Sequence, residues 1–420
     1  MTRPSVGSVQ ARERLATPMK SVTEVLERIL SVIEPISAQE SVSLRESLGR
    51  VLARTLTTPH PLPPHRSSAM DGYALNSASL AAGVPVTLPV VGSSLAGEPY
   101  WAEVAAGECV RINTGALVPD GADRIIIRED VSEEASAIRI TTVPSNARHI
   151  REAGEDIPES GGLLERGRVL GAADIGLLAA AGVVEVPVHA RVTVGFFSTG
   201  TELTGLGQPL EPGQIYDSNR YTLFGLLREL GCAPVDLGRV PDRQAELEDV
   251  LRKGTQHCHA IISSGGVSVG QADLVLDTVA QLGEVSLWRV AMKPGKPFLF
   301  GRINQTWMFG LPGNPVSVMA TFYQLVQPAL RALSGATPRR GLVLRATLTE
   351  PLRKSPGRTD YQRGIVENGP DGQLLVRGTG PQGSHMLSSM SRANCFIVLP
   401  AHSGDVAAGT TVDVQPFALI

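Results

Sequence analysis

The spacing of apolar residues changes several times along the chain, and each change marks a different predicted structure. Apolar residues recur every three or four positions over residues 22–33, directly after a capping box formed by Ser21 and Glu24. The same spacing predicts a second helix over residues 43–56. Four prolines in residues 57–64 then predict an extended segment. The chain is therefore predicted to begin with a helical region.

Short β-like runs replace the helical spacing over residues 73–143, where Gly, Pro and Asn separate them. Helical spacing resumes at residues 172–181. We therefore predict a split helical domain, residues 20–58 and 157–190, around an inserted β domain, residues 59–156. The β-like runs are residues 84–91, 108–112, 124–127 and 137–142.

Strand and helix patterns alternate over residues 191–335. Such alternation predicts a doubly wound α/β domain, with a parallel sheet and helices on both faces. Residues 336–420 return to short strands and turns, which predicts a C-terminal β barrel. The predicted strands are residues 192–197, 235–237, 260–263 and 285–290, and the predicted helices are residues 218–230, 243–252, 273–282 and 316–333.

The amino-acid composition of the chain argues against two classes of binding partner, nucleic acid and membrane. The 420 residues carry a formal net charge of −3 and no basic stripe, which argues against nucleic acid as a partner. The four cysteines are scattered, as is typical of reduced thiols in a cytoplasmic protein. Charged residues interrupt the most apolar stretch, residues 170–188, and no signal peptide is evident, so no membrane partner is expected.

Three glycine-rich segments follow predicted strands, where α/β sheets bind their ligands. They are residues 263–270 followed by Asp273, residues 293–297, and residues 311–315. Glycine lets backbone N–H groups approach an anion, and lysine adds positive charge. Together the segments predict one surface that binds phosphate and oxyanions. The candidate binding residues are Ser264, Gly265, Gly266, Ser268, Gly270, Lys293, Lys296, Pro312, Gly313, Asn314 and Pro315.

Several of these residues also have a purely structural interpretation. Asp273 is placed to interact with a helix dipole, and Pro315 is placed as a first-turn helix proline. Asp242 lies in a polar turn after a predicted strand, and the turn alone would explain it. Asp217 or Ser218 is predicted to cap the next helix.

Six segments of the chain, in one collinear order, resemble the signature segments of the MoeA-type molybdopterin molybdenumtransferases, which are related to the C-terminal domain of gephyrin. Three are the glycine-rich segments, and the others are residues 68–74, 111–116 and 154–157. The resemblance implies that residues 191–335 are a molybdopterin-binding domain. It also implies a homodimer whose cleft is shared between subunits.

The resemblance further implies the Mg²⁺-dependent insertion of molybdate into adenylylated molybdopterin, with hydrolysis of the pyrophosphate bond and release of AMP. Asp242 and Asp273 correspond to metal-binding and catalytic positions. Asp71, Thr114 and Glu202 correspond to further catalytic positions, with Asp156 also in the cleft. The implied partners are molybdopterin adenylyltransferase and apo molybdoenzymes.

Arg363 and Ser384 lie in C-terminal segments similar to those that contact molybdate in the family. The chain departs from the common pattern at Arg66-Ser67, Thr201, Gln271 and Arg289, and none of these is a proposed metal ligand.

Two other functions are compatible with parts of this sequence. An adenylyltransferase that makes the activated pterin would share the α/β domain, but the inserted β domain and the barrel argue against it. A scaffold of the gephyrin type would tolerate a degenerate site, whereas Asp242, Asp273, Lys293 and Lys296 are all present. The sequence therefore favours the enzyme.

Overall fold

The computed structural model describes residues 19–142, 148–267, 274–339 and 341–417, and it divides into two compact units. The smaller unit comprises the described residues of Ser41–Leu48 and Arg54–Val186. The larger unit comprises the described residues of Met1–Glu40, Gly49–Ala53 and Pro187–Ile420. The domain bounds given above stay predictions.

The smaller unit is built around a six-stranded sheet in which one interior strand, Gly72–Leu75, is buried along its whole length. Ala74 packs into one core with Val110 and Ile125, whereas Tyr73 packs into another with Ile126. Because successive side chains of a strand point to opposite faces, the sheet is covered on both sides. In spatial order the strands are Arg124–Ile127, Gly72–Leu75, Cys109–Ile112, Val86–Ser94, Ala137–Ile140 and Ser132–Glu133.

Shorter elements surround this sheet. Ser67–Ser68 pairs with Ile150–Arg151, and Leu56–Thr57 pairs with Gly162–Leu164. The remaining elements are the α-helix Ala172–Ala180, the 3-10 helices Leu44–Ser47, Ser77–Leu80 and Arg128–Asp130, and the strands Gln39–Ser43 and Glu185–His189. The predicted β runs and the predicted helix over residues 172–181 are therefore confirmed.

The helix predicted over residues 43–56 is wrong, because only the single 3-10 turn Leu44–Ser47 forms there. The Ser47 hydroxyl donates to the Leu44 carbonyl at 2.7 Å, a local bond that competes with a longer helix. Gly49 follows in the left-handed region, at φ +72°. Leu48, which the helical pattern counted as core, is 55% exposed.

The larger unit begins with the helix Val22–Leu30, which has the predicted capping box of Ser21 and Glu24. Its buried face, Val25 and Ile29, packs against the α/β domain.

A six-stranded sheet forms the centre of that domain. Its first four strands run parallel, and the last two alternate in direction. In spatial order they are Ala233–Val240, Thr193–Thr199, Ala260–Ser264, Thr306–Leu311, Pro297–Ile303 and Glu284–Arg289. The sequence patterns had not indicated Pro297–Ile303 as a strand.

Helices cover both faces of this sheet, as predicted. Phe196 faces the core that includes the helix residues Leu223 and Leu227. Phe197 faces the opposite core, which includes Leu247 and Val275. The helices are Ser218–Glu229, Gln244–Gly254, Leu274–Leu282, Pro315–Thr321 and Gln327–Leu333.

The long helix predicted over residues 316–333 contains a π-helical segment, Phe322–Val326, between the two α-helices Pro315–Thr321 and Gln327–Leu333. Pro328 has no N–H group to donate to the carbonyl four residues earlier, so one α-helical hydrogen bond is missing here. The π-helical segment changes the hydrogen-bond pattern just before this proline.

A closed five-stranded barrel follows, which confirms the predicted C-terminal fold. The short strand Met292–Lys293 adds to its wall by pairing in parallel with Thr359–Asn368. The α/β domain and the barrel are thus joined by a backbone ladder. In order around the barrel the strands are Leu344–Leu348, Leu374–Gly378, Thr359–Asn368, Cys395–Leu399 and Thr411–Pro416, and the helix Leu387–Arg392 lies before the fourth.

Among the described residues, no helix combines the length and the apolar character needed to cross a bilayer.

Candidate active site

A cavity of about 1320 Å³ opens at the carboxyl ends of the parallel strands. Strand Thr193–Thr199 has neighbours on both sides that come later in the chain, so this edge is a topological switch point of the sheet. Most of the residues predicted for the site line this one cavity. They are Glu202, Asp242, Ser264, Gly265, Gly266, Lys293, Lys296, Pro312, Gly313, Asn314, Pro315 and Ser384.

The turn at Gly265 and Gly266 requires glycine at both positions. Their φ angles are +85° and +68°, in the region that side chains disfavour. A Cβ atom on Gly265 would lie 2.4 Å from the Thr199 carbonyl oxygen. One on Gly266 would lie 2.4 Å from a methyl group of Val275. The turn therefore brings bare backbone into the cavity wall, as a phosphate-binding loop requires.

Carboxylates stand on the same wall. The Thr199 hydroxyl donates to Asp242, which is otherwise exposed to the cavity. Glu202 also lines the cavity and is exposed. Within the described part of the chain, no three His, Cys, Asp or Glu side chains come together as a metal site. The wall thus offers separate carboxylate oxygens and no closed protein cage.

A buried hydrogen-bond network supports the strand ends. The Ser198 hydroxyl donates to Asp217 at 3.0 Å and lies 3.3 Å from the Ser264 hydroxyl. Asp217 is the predicted N-cap of helix Ser218–Glu229 and accepts from the Arg220 backbone N–H. Asp217 therefore caps the helix and also lines the cavity.

The neighbouring Asn219 connects this helix to the third glycine-rich segment. Its amide nitrogen donates to the Gly313 carbonyl at 2.6 Å. Pro315 occupies the first turn of the helix Pro315–Thr321, which confirms its predicted role as a first-turn helix proline. The same residue also lines the cavity.

Residues 293–297, the lysine loop, also line the cavity. Its two lysines differ in their partners. The Lys293 ammonium is 3.2 Å from a carboxylate oxygen of Asp360. Lys296 has no carboxylate partner among the residues that the structure describes. Between them Gly295 adopts φ +106°, and a Cβ atom there would lie 2.5 Å from the Thr321 hydroxyl oxygen.

Arg363 does not reach the cavity surface, although the sequence suggested direct contact with the anion. Its side chain is 1% exposed and lies behind the loop that carries Ser384. The guanidinium donates to the carbonyls of Gln382 and Gly383 at 3.2 and 3.0 Å, and to the Ser389 hydroxyl at 2.9 Å. Burial lowers the pKa of Arg363 to about 10, so the buried group stays charged at neutral pH. Arg363 therefore supports the cavity wall from behind.

Asp71 and Thr114 lie in the smaller unit and contact each other. The backbone N–H and the hydroxyl of Thr114 donate to one Asp71 oxygen at 2.7 and 2.8 Å. These bonds hold the pKa of Asp71 below its ordinary value, so this exposed carboxylate is ionised at neutral pH. Asp156 lies in the same unit and is also exposed. The catalytic roles of Asp71 and Thr114, and the place of Asp156 in the cleft, stay predictions.

Three predicted binding or catalytic residues, Ser268, Gly270 and Asp273, lie outside the described residues, as does Gln271.

Sequence reasoning missed the polar residues that the barrel contributes. Arg358, Asp360, Gln382 and His385 all line the cavity. No motif surrounds them, because their place depends on the pairing of Met292–Lys293 with a strand more than sixty positions later. The spacing of residues in the sequence could not show that Asp360 lies next to Lys293, because the two residues belong to different domains and meet only in the folded chain.

Three family descriptions match the chain in order. They are "MoeA N-terminal region (domain I and II)" over residues 20–182, "Probable molybdopterin binding domain" over residues 195–332, and "MoeA C-terminal region (domain IV)" over residues 345–417. The cavity is lined by the second and third of these regions.

Proteins of known name are similar over nearly the whole chain. The molybdopterin molybdenumtransferase of Haemophilus influenzae is 40% identical, covering 95% of this chain and 99% of its own length. The gephyrin of Dictyostelium discoideum is 33% identical over 94% of this chain and 62% of its own length. A crystal structure of the molybdopterin biosynthesis MoeA protein from Pyrococcus horikoshii superposes with a TM-score of 0.82 at 28% identity, covering 95% and 100% of the two chains.

Replacing Gly265 with alanine is expected to destabilise the protein by about 2–5 kcal/mol, because a Cβ atom adds backbone strain and a clash with the Thr199 carbonyl. Gly207→Ala is the matched control: Gly207 also has a positive φ, +79°, but nothing lies within 4 Å of its added Cβ atom. We expect that control to cost about 1 kcal/mol. Urea unfolding measures both, and equal losses would contradict the tight packing inferred for the turn.

Arg363→Lys should lower stability by about 2–4 kcal/mol, since an ammonium cannot reach all the acceptors of the guanidinium. Arg345→Lys, at an exposed ion pair with Asp413, serves as the control. Thermal unfolding compares the two variants. A neutral effect of Arg363→Lys would show that Arg363 does not hold the loop.

Proposed function

The chain belongs to the MoeA family of molybdopterin molybdenumtransferases, enzymes of molybdenum cofactor biosynthesis, and we propose that it inserts molybdate into adenylylated molybdopterin with release of AMP. In this reaction water cleaves the pyrophosphate bond, AMP leaves, and the dithiolene of the pterin takes the molybdenum. The observation that carries the proposal is that a glycine turn, the exposed carboxylates of Asp242 and Glu202, and a lysine loop line one cavity.

The glycine turn suits the phosphates of the substrate. Gly265 and Gly266 present backbone without side chains, and the Ser264 hydroxyl lies at the start of the same turn. Backbone N–H groups in such a turn bind phosphate oxygens without requiring a net positive charge on the protein. This fits a chain whose formal net charge is −3.

The carboxylate wall suits a magnesium ion. Mg²⁺ prefers hard oxygen ligands, and it is commonly held by one or two carboxylates together with substrate phosphates and water. Asp242 meets that requirement from the described part of the site, and we propose Asp273 as the second ligand. The ion, when bound, supplies charge neutralisation to the pyrophosphate oxygens. We propose that Glu202, which also lines the cavity, contacts the pterin side of the substrate.

The lysine loop suits the molybdate dianion. Lys293 and Lys296 bracket a turn whose glycine packs tightly against Thr321. Ser384 adds a hydroxyl from the barrel side, and Arg363 keeps the Ser384 loop in place. We propose that the anion binds between the loop and the barrel.

We propose that the active form is a homodimer, with Asp71 and Thr114 of one subunit completing the cleft of the other. Several large apolar side chains within residues 206–224 are exposed, and two of them, Ile215 and Tyr216, also line the cavity. Such an exposed apolar surface is typical of a surface that a partner covers. The exposed side chains are Leu206, Leu210, Ile215, Tyr216, Tyr221 and Phe224.

Asp242→Asn and Asp273→Asn are each expected to slow AMP release by about 100-fold or more, the loss typical for one group that stabilises charge in a transition state. Binding of adenylylated molybdopterin should remain nearly unchanged in both variants, as measured by equilibrium fluorescence of the pterin. Asp249→Asn, which removes an exposed helix ion pair with Lys253, is the control. Normal turnover by either active-site variant would remove that residue from the reaction.

Mixing the inactive variants Asp71→Asn and Asp242→Asn tests the shared cleft. If each cleft combines the two residues from different subunits, random exchange restores about a quarter of the wild-type activity, because half of the dimers are mixed and each has one intact cleft. The mixture is assayed after the subunits have been dissociated and reassociated, with each variant treated alone for comparison. If activity does not return although mixed dimers are seen by native mass spectrometry, the two residues serve the same subunit or no common site.

A further inference from the structure

Asp360 is a carboxylate on the cavity wall that neither the sequence motifs nor the proposed reaction uses. It is 4% exposed, yet it lines the cavity beside Lys293. One of its oxygens is 3.2 Å from the Lys293 ammonium and accepts a second bond, also 3.2 Å, from the Gln362 side-chain amide. The barrel thus places a buried negative charge directly behind an oxyanion-binding loop.

Burial makes the two partners unequal. A carboxylate removed from water is costly unless it is paired, whereas a lysine whose side chain is 44% exposed keeps most of its hydration. The pair therefore holds the Lys293 ammonium near Asp360 more strongly than an exposed ion pair would.

The backbone fixes the same arrangement. Lys293 and Asp360 are direct neighbours in the parallel ladder between Met292–Lys293 and Thr359–Asn368. The Thr359 N–H donates to the Ala291 carbonyl at 2.9 Å and continues that ladder. The backbone at both ends of the pair is thus fixed, so forming the pair orders only the two side chains.

Lys296 contrasts with Lys293. It lines the same cavity on the other side of Pro294 and Gly295, and within the described residues no carboxylate pairs with it. The two lysines of one motif therefore carry different effective charges toward a ligand.

We propose that Asp360 is a positioning residue, which holds the Lys293 ammonium and offsets its charge, so that Lys296 is the main lysine for the oxyanion. This inference rests on the proposed function, since it assigns roles within the molybdate subsite. A subsite with one neutralised cation binds a dianion moderately, and moderate affinity allows the metal to be passed on to the pterin.

The test measures binding of molybdate alone, and of sulfate as a competing dianion, to the full-length protein by calorimetry at low and high salt. Asp360→Asn keeps an acceptor for Lys293 but removes the charge. We expect it to lower the dissociation constant of molybdate by about threefold to tenfold at low ionic strength, and by less at high salt. Sulfate should gain similarly, so discrimination between the two anions does not improve.

Lysine variants test the same inference from the other partner. In the wild-type background, Lys296→Gln should weaken molybdate binding at least about tenfold. Lys293→Gln alone would leave the buried Asp360 carboxylate unpaired beside the anion, so the pair is removed as a whole in Lys293→Gln/Asp360→Asn, which should weaken binding less than Lys296→Gln does. In the Asp360→Asn background, Lys293→Gln and Lys296→Gln should cause similar losses. Asp413→Asn, which breaks an exposed barrel ion pair with Arg345, is the matched control and should bind like wild type.

The outcomes separate the inference from the proposed function. Unchanged or weaker binding by Asp360→Asn, or a loss for Lys293→Gln/Asp360→Asn as large as that for Lys296→Gln, overturns the role of Asp360 and leaves the molybdate site standing. No molybdate binding by the wild-type protein overturns both. A merely structural role would reduce the folded fraction of Asp360→Asn without changing the dissociation constant of the protein that binds.

Discussion

The shared edge of the parallel strands is the constraint on which the site depends. Because strands Thr193–Thr199, Ala260–Ser264 and Thr306–Leu311 run side by side in one direction, the segments that follow them emerge at the same place. The Gly265 N–H donates to the Leu311 carbonyl at 3.2 Å, so two of the glycine-rich segments are also bonded directly. Elements far apart in the chain thereby line one cavity.

The second constraint is the short parallel ladder that joins the α/β domain to the barrel. It brings Asp360, and with it the loop that Arg363 supports, to the cavity that the glycine turn also lines. In the proposed reaction, the α/β domain would supply the phosphate and metal subsite, and the barrel would supply part of the oxyanion subsite.

Features that depend on neighbouring residues could be predicted from the sequence, whereas features that depend on contacts between distant segments could not. Glycine turns, helix caps and strand periodicity are local, so the turn at Gly265 and the capping box at Ser21 were found from spacing alone. The helix expected over residues 43–56 failed because serine side chains and Gly49 favoured a single turn. Asp360 and the burial of Arg363 depend on pairing between distant segments, which leaves no periodic signal. The direct anion contact expected of Arg363 was replaced by support from behind for the same reason.

The proposed reaction is best tested by measuring how AMP release depends on molybdate. Purified wild-type protein is incubated with adenylylated molybdopterin and Mg²⁺, with and without molybdate, and the product is offered to an apo molybdoenzyme. We expect molybdate to stimulate AMP release and the product to activate the apo enzyme. Tight pterin binding without AMP release under any metal, or formation of adenylylated pterin from ATP, would contradict the proposed reaction.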